Sequence, residues 1–349
     1  MDVVKVGKAI AFLRKRAGYT QKDLADRIGI SDKAVSKWER GLGLPEIGYL
    51  RKLSILLDTD TDSLLAGDVV HHDSSWSGVI ILDENKYDID AGTMIFDKPL
   101  IYYLLSYFLL VGIRDVTIVC SNSSYEFIRK KIGDGSALGV RITLVENLSF
   151  AVNNRIWTGN VMMVYGRCIL YGVDQTRFFQ KAMINRERFT MLVLPKKLKN
   201  QVSHIVIDQN KKIINSNVDE PLKTQYDFSD IPILFFPASV LYKMVEKSNI
   251  SSFITDYIAN HDLYVYMLDR GFVEIEIDDW NNVQEASNFI KIVQTQCGMN
   301  VYCIEEVAWR RGFISLKQLK EQGDKMQGTE YGDYVLSLYH RIKENSEIE

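Results

Sequence analysis

The sequence predicts an α/β protein with an all-α head at its N-terminus. Three observations carry this. Through roughly the first 66 residues, apolar side chains recur at helical spacing in short segments separated by Gly, Ser and Thr. From Gly78 onward, short β-branched runs that are apolar throughout alternate with helical segments, the pattern of a mostly parallel sheet buried on both faces. Between the two lies GDVVHHDSSWS, residues 67–77, with the polar, turn-forming composition of a linker. The expected organisation is a head over 1–67, a linker over 68–77 and an α/β body over 78–349. At 349 residues the chain is too long for one small helical module.

Composition narrows the class. Hydrophobic residues make up 46% and charged residues 25%, ordinary values for a soluble globular chain. The net charge of -3 argues against a uniformly basic nucleic-acid binder. The charge is uneven, however: residues 1–66 hold 12 Lys and Arg against 9 Asp and Glu, and the remainder holds 30 against 36. Cys120, Cys168, Cys297 and Cys303 form no metal-ligand pairs and no dense disulfide framework, so reduced thiols in an intracellular protein are expected. His71 and His72 have no third ligand nearby and read as solvated linker. The start, MDVVKVGKAI, lacks the apolar run of a signal peptide. The longest apolar stretch, residues 100–113, is too short to span a membrane and reads as a buried core helix. The expected location is cytoplasmic, without membrane contact.

The head is read element by element. A first helix covers 6–17, with Ile10 and Leu13 inward. Thr20 caps a second helix, and Asp23 stands in the capping-box position. Leu24, Ala25 and Ile28 form its apolar face, and Gly29 ends it in a left-handed conformation. Ser31 caps a third helix, with Ala34, Val35 and Trp38 inward. Asp32, Lys33, Ser36, Lys37 and Arg40 face outward. A fourth helix is expected from Pro45 to Leu57 and a fifth over 60–65. Two short helices at a sharp angle, the second with a polar and basic outer face, make a unit that can lay one helix in a DNA major groove.

These residues resemble the Cro and lambda-repressor-like helix-turn-helix family. The likeness lies in Thr20-Gln21, Leu24-Ala25, Gly29-Ile30-Ser31 and the run from Ser36 to Gly41, and it covers about residues 4–66. The resemblance implies that Gln21 clamps a DNA phosphate and that Asp32, Lys33, Ser36 and Lys37 read base edges. A carboxylate can accept from cytosine and a Lys can donate to guanine. With the cap Ser31 and the outward Arg40, these residues are the expected DNA-binding set.

In the body, strands are expected over 78–82, 116–120, 141–146, 161–166 and 190–195. Helices are expected over 98–111, 125–132 and 175–185. A strand-rich stretch follows over 203–214 and 231–236, and helices return over 280–295 and 316–322. The segments DKPLIYYLLSYFLLVGIRDVTIV, IGDGSALGVRIT, EASNFIKIV and EEVAWRRGFI resemble glucose-1-phosphate thymidylyltransferases of the sugar nucleotidyltransferase family. The likeness covers about residues 77–339. It implies a Rossmann-like mixed, mostly parallel sheet of nucleotidyltransferase type and assembly as a homodimer or homotetramer.

That family's chemistry joins a sugar phosphate to a nucleoside triphosphate. It needs a Gly-rich phosphate loop, cationic side chains and carboxylates for Mg²⁺. Here the loop position reads DENKYDIDAGTMIF, without the glycines or the Arg. The Lys position holds Asp90. Arg167 stands where the family has a metal Asp, and the sugar-binding Glu-Lys-Pro stands as Asp219-Glu220-Pro221, with an acid in place of the Lys. The second metal carboxylate maps to Glu276, within EIEIDD. Lys98, Arg167, Asp219, Glu276 and Asp278 are the expected lining of a ligand cleft, with Arg167 pairing Glu276 or Asp278. No catalytic residue, metal or cofactor is expected; Mg²⁺ enters only under the alternative of an active enzyme. The resulting expectation is a transcription regulator. Its head binds a double-stranded operator. Its degenerate body senses a sugar nucleotide or nucleotide, or mediates oligomerisation.

Overall fold

The computed structural model describes residues 2–16, 19–57, 61–67, 76–82, 89–153, 157, 159–166, 168–184, 186–196, 206–207, 213–215, 227–245, 253, 257, 263–269 and 271–348. The head comprises α1 (Val3–Arg16), α2 (Gln21–Ile28), α3 (Asp32–Glu39), α4 (Ile47–Leu56) and α5 (Thr61–Ala66). Its core takes Val6, Ile10 and Leu13 from α1, Leu24 and Ile28 from α2, and Val35 and Trp38 from α3. Leu50, Leu53 and Leu64 close it from α4 and α5. At Gly7 the backbone of α1 meets α3: a Cβ there would lie 2.1 Å from the Trp38 carbonyl oxygen, so only glycine allows this approach. The fourth helix starts at Ile47 rather than at Pro45. Pro45 is buried in the preceding irregular segment, where its ring packs instead of opening the helix.

The body elements are β1 (Trp76–Ile81), β2 (Met94–Ile95), β3 (Lys98–Pro99), α6 (Leu100–Val111), β4 (Asp115–Val119), α7 (Asn122–Lys131), β5 (Arg141–Val145) and α8 (Leu148–Asn153). Then come β6 (Asn160–Tyr165), β7 (Cys168–Tyr171), α9 (Gln175–Met183), β8 (Thr190–Lys196), β9 (Val206–Ile207), β10 (Ile213–Asn215), β11 (Asp227–Pro237) and α10 (Ala238–Val245). The described elements end with β12 (Tyr264–Met267), β13 (Val273–Glu276), α11 (Trp280–Cys297), α12 (Ile304–Arg310), α13 (Leu316–Lys325) and α14 (Glu330–Ile348). The sixth helix begins at Leu100, two residues later than expected. Pro99 disfavours helical geometry at Lys98, and these two residues pair instead with β2.

Among the described residues, seven strands form one sheet in the order β12-β8-β11-β6-β1-β4-β5. The strands β6, β1, β4 and β5 are mutually parallel, whereas β11 runs antiparallel to both β6 and β8. The mixed, mostly parallel α/β sheet expected from the sequence is therefore what the chain forms. Its strands are apolar throughout because both faces are covered. On β1, Ile80 enters one core with the α6 aromatics and the C-terminal helices, while Val79 and Ile81 enter a second with α8 and α10. Residues 100–111 form the buried core helix expected, and Tyr103, Tyr107 and Phe108 on it are fully buried. Among the described residues, no helix is long and apolar enough to cross a membrane.

Candidate functional sites: a DNA-reading face and a ligand crevice

In the head, two caps fix the angle between α2 and α3. The Thr20 hydroxyl accepts from the Asp23 backbone N–H, and the Asp23 carboxylate accepts from the Thr20 backbone N–H at 2.7 Å, completing the capping box. The Thr20 hydroxyl also donates to Asp23 Oδ2 at 2.7 Å, and this bond first, then the one from the Thr20 backbone N–H, holds the Asp23 carboxyl below the usual Asp range. Gly29 takes φ 84°, the left-handed turn between the helices. The Ser31 hydroxyl accepts from the Ala34 N–H at 3.3 Å. The third helix then exposes Ser31, Asp32, Lys33, Lys37 and Arg40, with Ser36 half-buried beside them. Asp32 accepts from the Lys33 backbone N–H at 2.8 Å, which sets its carboxylate at the helix start. Arg40 Nε donates to the Ser36 carbonyl at 3.3 Å. The aliphatic chain of Lys37 lies along Gly43, its Cε 3.3 Å from where a Cβ would stand.

Gln21 has a partner that the sequence does not announce. Its Nε2 donates to Glu39 Oε2 at 2.7 Å. Glu39 also receives Arg14 Nε at 2.5 Å and Arg14 Nη2 at 3.1 Å, while Arg14 Nη1 donates to the Tyr19 carbonyl at 2.6 Å. Both side chains of this pair are less than a tenth exposed. One ion pair thus ties α1 to the end of α3 and holds the Gln21 amide at the α2 N-terminus. A signal for it existed. Arg14 lies four residues after Ile10, on the inward stripe of α1, where a charge needs a partner.

In the body, β1 is flanked by β4 on one side and β6 on the other. The sheet therefore has its switch point there, and the crevice outside the carboxyl ends of these strands is the default ligand position. Around it, the Leu82 N–H donates to the Val119 carbonyl and the Gly166 N–H to the Ile81 carbonyl, each at 3.0 Å. Gly166 takes φ 79° where β6 gives way to β7. The antiparallel pair of β7 and β13 sets Glu276 opposite Cys168, so the acid meets the chain just beyond the β6 turn. Glu276 is exposed and Asp278 half-buried. Asp279 caps α11 by accepting from the Asn282 N–H at 2.8 Å.

Arg167 and Asp219 lie outside the described residues, as does most of the loop after β1, residues 83–88. Asp90, in the expected Lys position, organises a turn: its carboxylate accepts from the Gly92 N–H at 2.9 Å and from the Thr93 hydroxyl at 3.2 Å. Lys98 requires a correction. It does not line a cleft but is 1% exposed, with Nζ donating to Asp97 Oδ1 at 2.5 Å, Asn300 Oδ1 at 2.8 Å and Gln294 Oε1 at 3.1 Å. The rings of Tyr103 and Tyr331 lie 4.9 and 5.4 Å from it. Burial pushes the Lys98 pKa down, against the opposing pull of Asp97. Alongside, Tyr331 OH donates to Glu305 at 2.5 Å, and burial raises the Glu305 carboxyl. This cluster joins β3 to the C-terminal helices.

A Mg²⁺ ion needs several oxygen ligands in near-octahedral array. Glu276 and Asp278 supply two carboxylates on one segment, and among the described residues no group of three or more His, Cys, Asp or Glu is gathered to hold a metal. Residue 167, where the resembled family has a metal Asp, lies outside the described residues.

The fold and these sites define a helix-turn-helix domain joined to a nucleotidyltransferase domain. The sequence profile of helix-turn-helix domains matches residues 10–64, and that of the nucleotidyl transferase family matches residues 93–297. The second match spans more than half of the chain, which therefore belongs to the nucleotidyl transferase family. The glucose-1-phosphate thymidylyltransferase of Neisseria meningitidis serogroup A is 28% identical over 260 residues, covering 70% of this chain and 90% of that protein. The same-named proteins of Neisseria gonorrhoeae and Mycolicibacterium smegmatis are 27% and 26% identical, covering 70% and 71% of this chain and 90% of each relative.

Proposed function

We propose that this chain is a sequence-specific DNA-binding transcription regulator whose nucleotidyltransferase domain binds a sugar nucleotide or nucleotide without turning it over. The observation that carries the first half is the α3 face, where Asp32, Lys33, Lys37 and Arg40 are exposed on a helix locked by two caps and a buried ion pair. The second half rests on the crevice residues. Catalysis of nucleotidyl transfer requires developing charge to be held by a phosphate loop, a Lys and metal carboxylates. The sequence has Asp90 and Arg167 in two of those positions. Nucleotide-sugar chemistry is what the relatives' names bring to the crevice.

Two heads in a two-fold homodimer or homotetramer would suit a palindromic operator, one recognition helix per half-site. A ligand in the crevice changes DNA affinity only by its differential affinity for the two arrangements of the heads. The test of DNA reading is a Lys33→Ala and Lys37→Ala pair of variants. Each is expected to weaken DNA binding and reduce its salt dependence. Unchanged affinity and unchanged salt slope would remove the recognition-helix assignment.

A second reading is an active sugar-phosphate nucleotidyltransferase with a regulatory DNA-binding head. The carboxylate Glu276, set at the crevice end of β13, favours it. Its signature would be Mg²⁺-dependent pyrophosphate release from a nucleoside triphosphate and a sugar 1-phosphate.

A further inference from the structure

The amino end of the sheet, opposite the crevice, carries a concentration of cations that neither domain's reading uses. The parallel register sets Gly78 of β1 beside Val116 of β4, and Asp115 of β4 beside Arg141 of β5. Continued by two residues, it brings Trp76, the first residue of β1, level with Arg114. Helix α7 returns from the crevice end to this same end, because beyond it the Asp134 carbonyl accepts from the Ile142 N–H of β5 at 2.8 Å. Arg129, Lys130 and Lys131 in its last turn therefore join Arg114 and Arg141 at one edge.

Arg129, Lys130, Lys131 and Arg141 are exposed, and Arg114 is half-buried with its guanidinium 4.1 Å from the Phe313 ring. The acids at this edge are committed: Asp115 pairs with Arg141, and Asp134 accepts from the Ser136 N–H. One cation would suffice to complement the α7 C-terminus; three stand there. This lies on a body segment whose Lys and Arg are outnumbered by its Asp and Glu, 30 to 36.

The position matters as much as the charge. The chain from the head enters the body at Trp76, at this same end. Neighbouring strands are about 4.8 Å apart, so Arg141, two strands away, stands roughly 10 Å from the tether point. Fully extended, the segment between Gly67 and Trp76 reaches about 30 Å at most. A duplex gripped by the head therefore lies within reach of the amino end of the sheet.

We propose that Arg129, Lys130 and Lys131 form a second, sequence-independent DNA-contact surface that lies along the phosphates flanking the duplex held by the head. It rests on the reading that the head binds DNA. Duplex DNA presents one charge per about 1.7 Å along its axis, and each phosphate neutralised adds about 0.9 to the salt slope. The surface contributes affinity and leaves base reading to α3. A DNA duplex bound on this edge leaves the crevice at the other end of the sheet open.

The experiment measures binding of the full chain to a 40-base-pair duplex of mixed sequence across a range of salt. It compares wild type with R129Q/K130Q/K131Q and with a control of equal charge change, K317Q/K320Q/K325Q, on α13. The first variant is expected to lower the salt slope by about 1 for each phosphate no longer neutralised, and the control to leave it unchanged. Equal slopes for all three proteins, or an equal fall in both variants, would overturn the proposal. Wild type that fails to bind DNA at all would instead remove the head reading on which it rests. If R129Q/K130Q/K131Q binds DNA normally but loses binding to anionic lipid vesicles or single-stranded RNA, the surface serves another polyanion and the DNA assignment falls. All three proteins should share one thermal unfolding midpoint, since the altered side chains are exposed or half-exposed.

Discussion

The head and the body each contain a buried ion pair, and the two pairs bear on function in opposite ways. In the head, Arg14 and Glu39 support the helix whose outer face is exposed. In the body, Lys98 and Asp97 sit among Gln294, Asn300 and two tyrosine rings, remote from solvent. The head keeps its chemistry-bearing residues on one helix, so sequence periodicity finds them. The body assembles its crevice from strand ends distant in sequence, and a charged residue beside a family motif turns out to be a structural tie. At Lys98, a Lys next to a recognisable motif serves packing, because its hydrogen bonds all go to neighbouring side chains in the core.

The largest expected effect breaks the head pair. Glu39→Ala leaves Arg14 buried without its carboxylate and should cost about 3–5 kcal/mol. That approaches the whole stability of a domain of this size, so the head should melt while the body keeps its own transition. Differential scanning calorimetry of the full chain should show loss of one transition; two intact transitions would contradict the account. Lys98→Ala should cost a similar ~3–5 kcal/mol in the body transition and leave DNA binding untouched. Should that variant instead lose nucleotide binding with unchanged stability, Lys98 belongs to a cleft after all.

Smaller changes sharpen the contrast. Lys33→Ala should reduce specific DNA affinity by about 1–3 kcal/mol with no change in either unfolding transition. Removing the cap in Ser31→Ala should cost about 1 kcal/mol of head stability and only indirectly weaken DNA binding. The mildest effect is in acid. Folding lowers the Asp23 pKa, so its stabilising share is full above about pH 4 and lost as the pH falls through the lowered value. Asp23→Asn should therefore flatten the acid limb of head unfolding below about pH 4, while the body limb stays as in wild type.

Most of the fold was legible because its signals are local. Gly29 at φ 84°, the Thr20 and Ser31 caps and the apolar strands β1, β4, β6 and β8 all follow from nearest-neighbour chemistry. The 19-residue helix Glu330–Ile348 escaped, as did features that are long-range or short. The helices at Leu148–Asn153 and Ile304–Arg310 have six and seven residues, too few for a clear period. The strand Cys168–Tyr171 is completed by β13, which lies about a hundred residues later. Its Leu170 N–H donates to the Tyr107 hydroxyl at 2.8 Å. In the candidate sites, the exposed α3 residues were visible as an outward stripe. Glu39 was not seen as the holder of Gln21, since its partner Arg14 lies 25 residues away. Lys98 was misplaced because its partners Gln294 and Asn300 lie about two hundred residues away.

The most direct measurement of the central claim incubates the full chain with thymidine triphosphate, glucose 1-phosphate and the corresponding nucleotide sugar, each with and without Mg²⁺. Thermal unfolding and pyrophosphate release are followed in the same samples. A nucleotide or nucleotide sugar should stabilise the body whether or not Mg²⁺ is present, by about 2.7 kcal/mol at a hundredfold excess over its Kd. No pyrophosphate should appear. Mg²⁺-dependent pyrophosphate release would contradict the account and restore an active enzyme beneath a DNA-binding head.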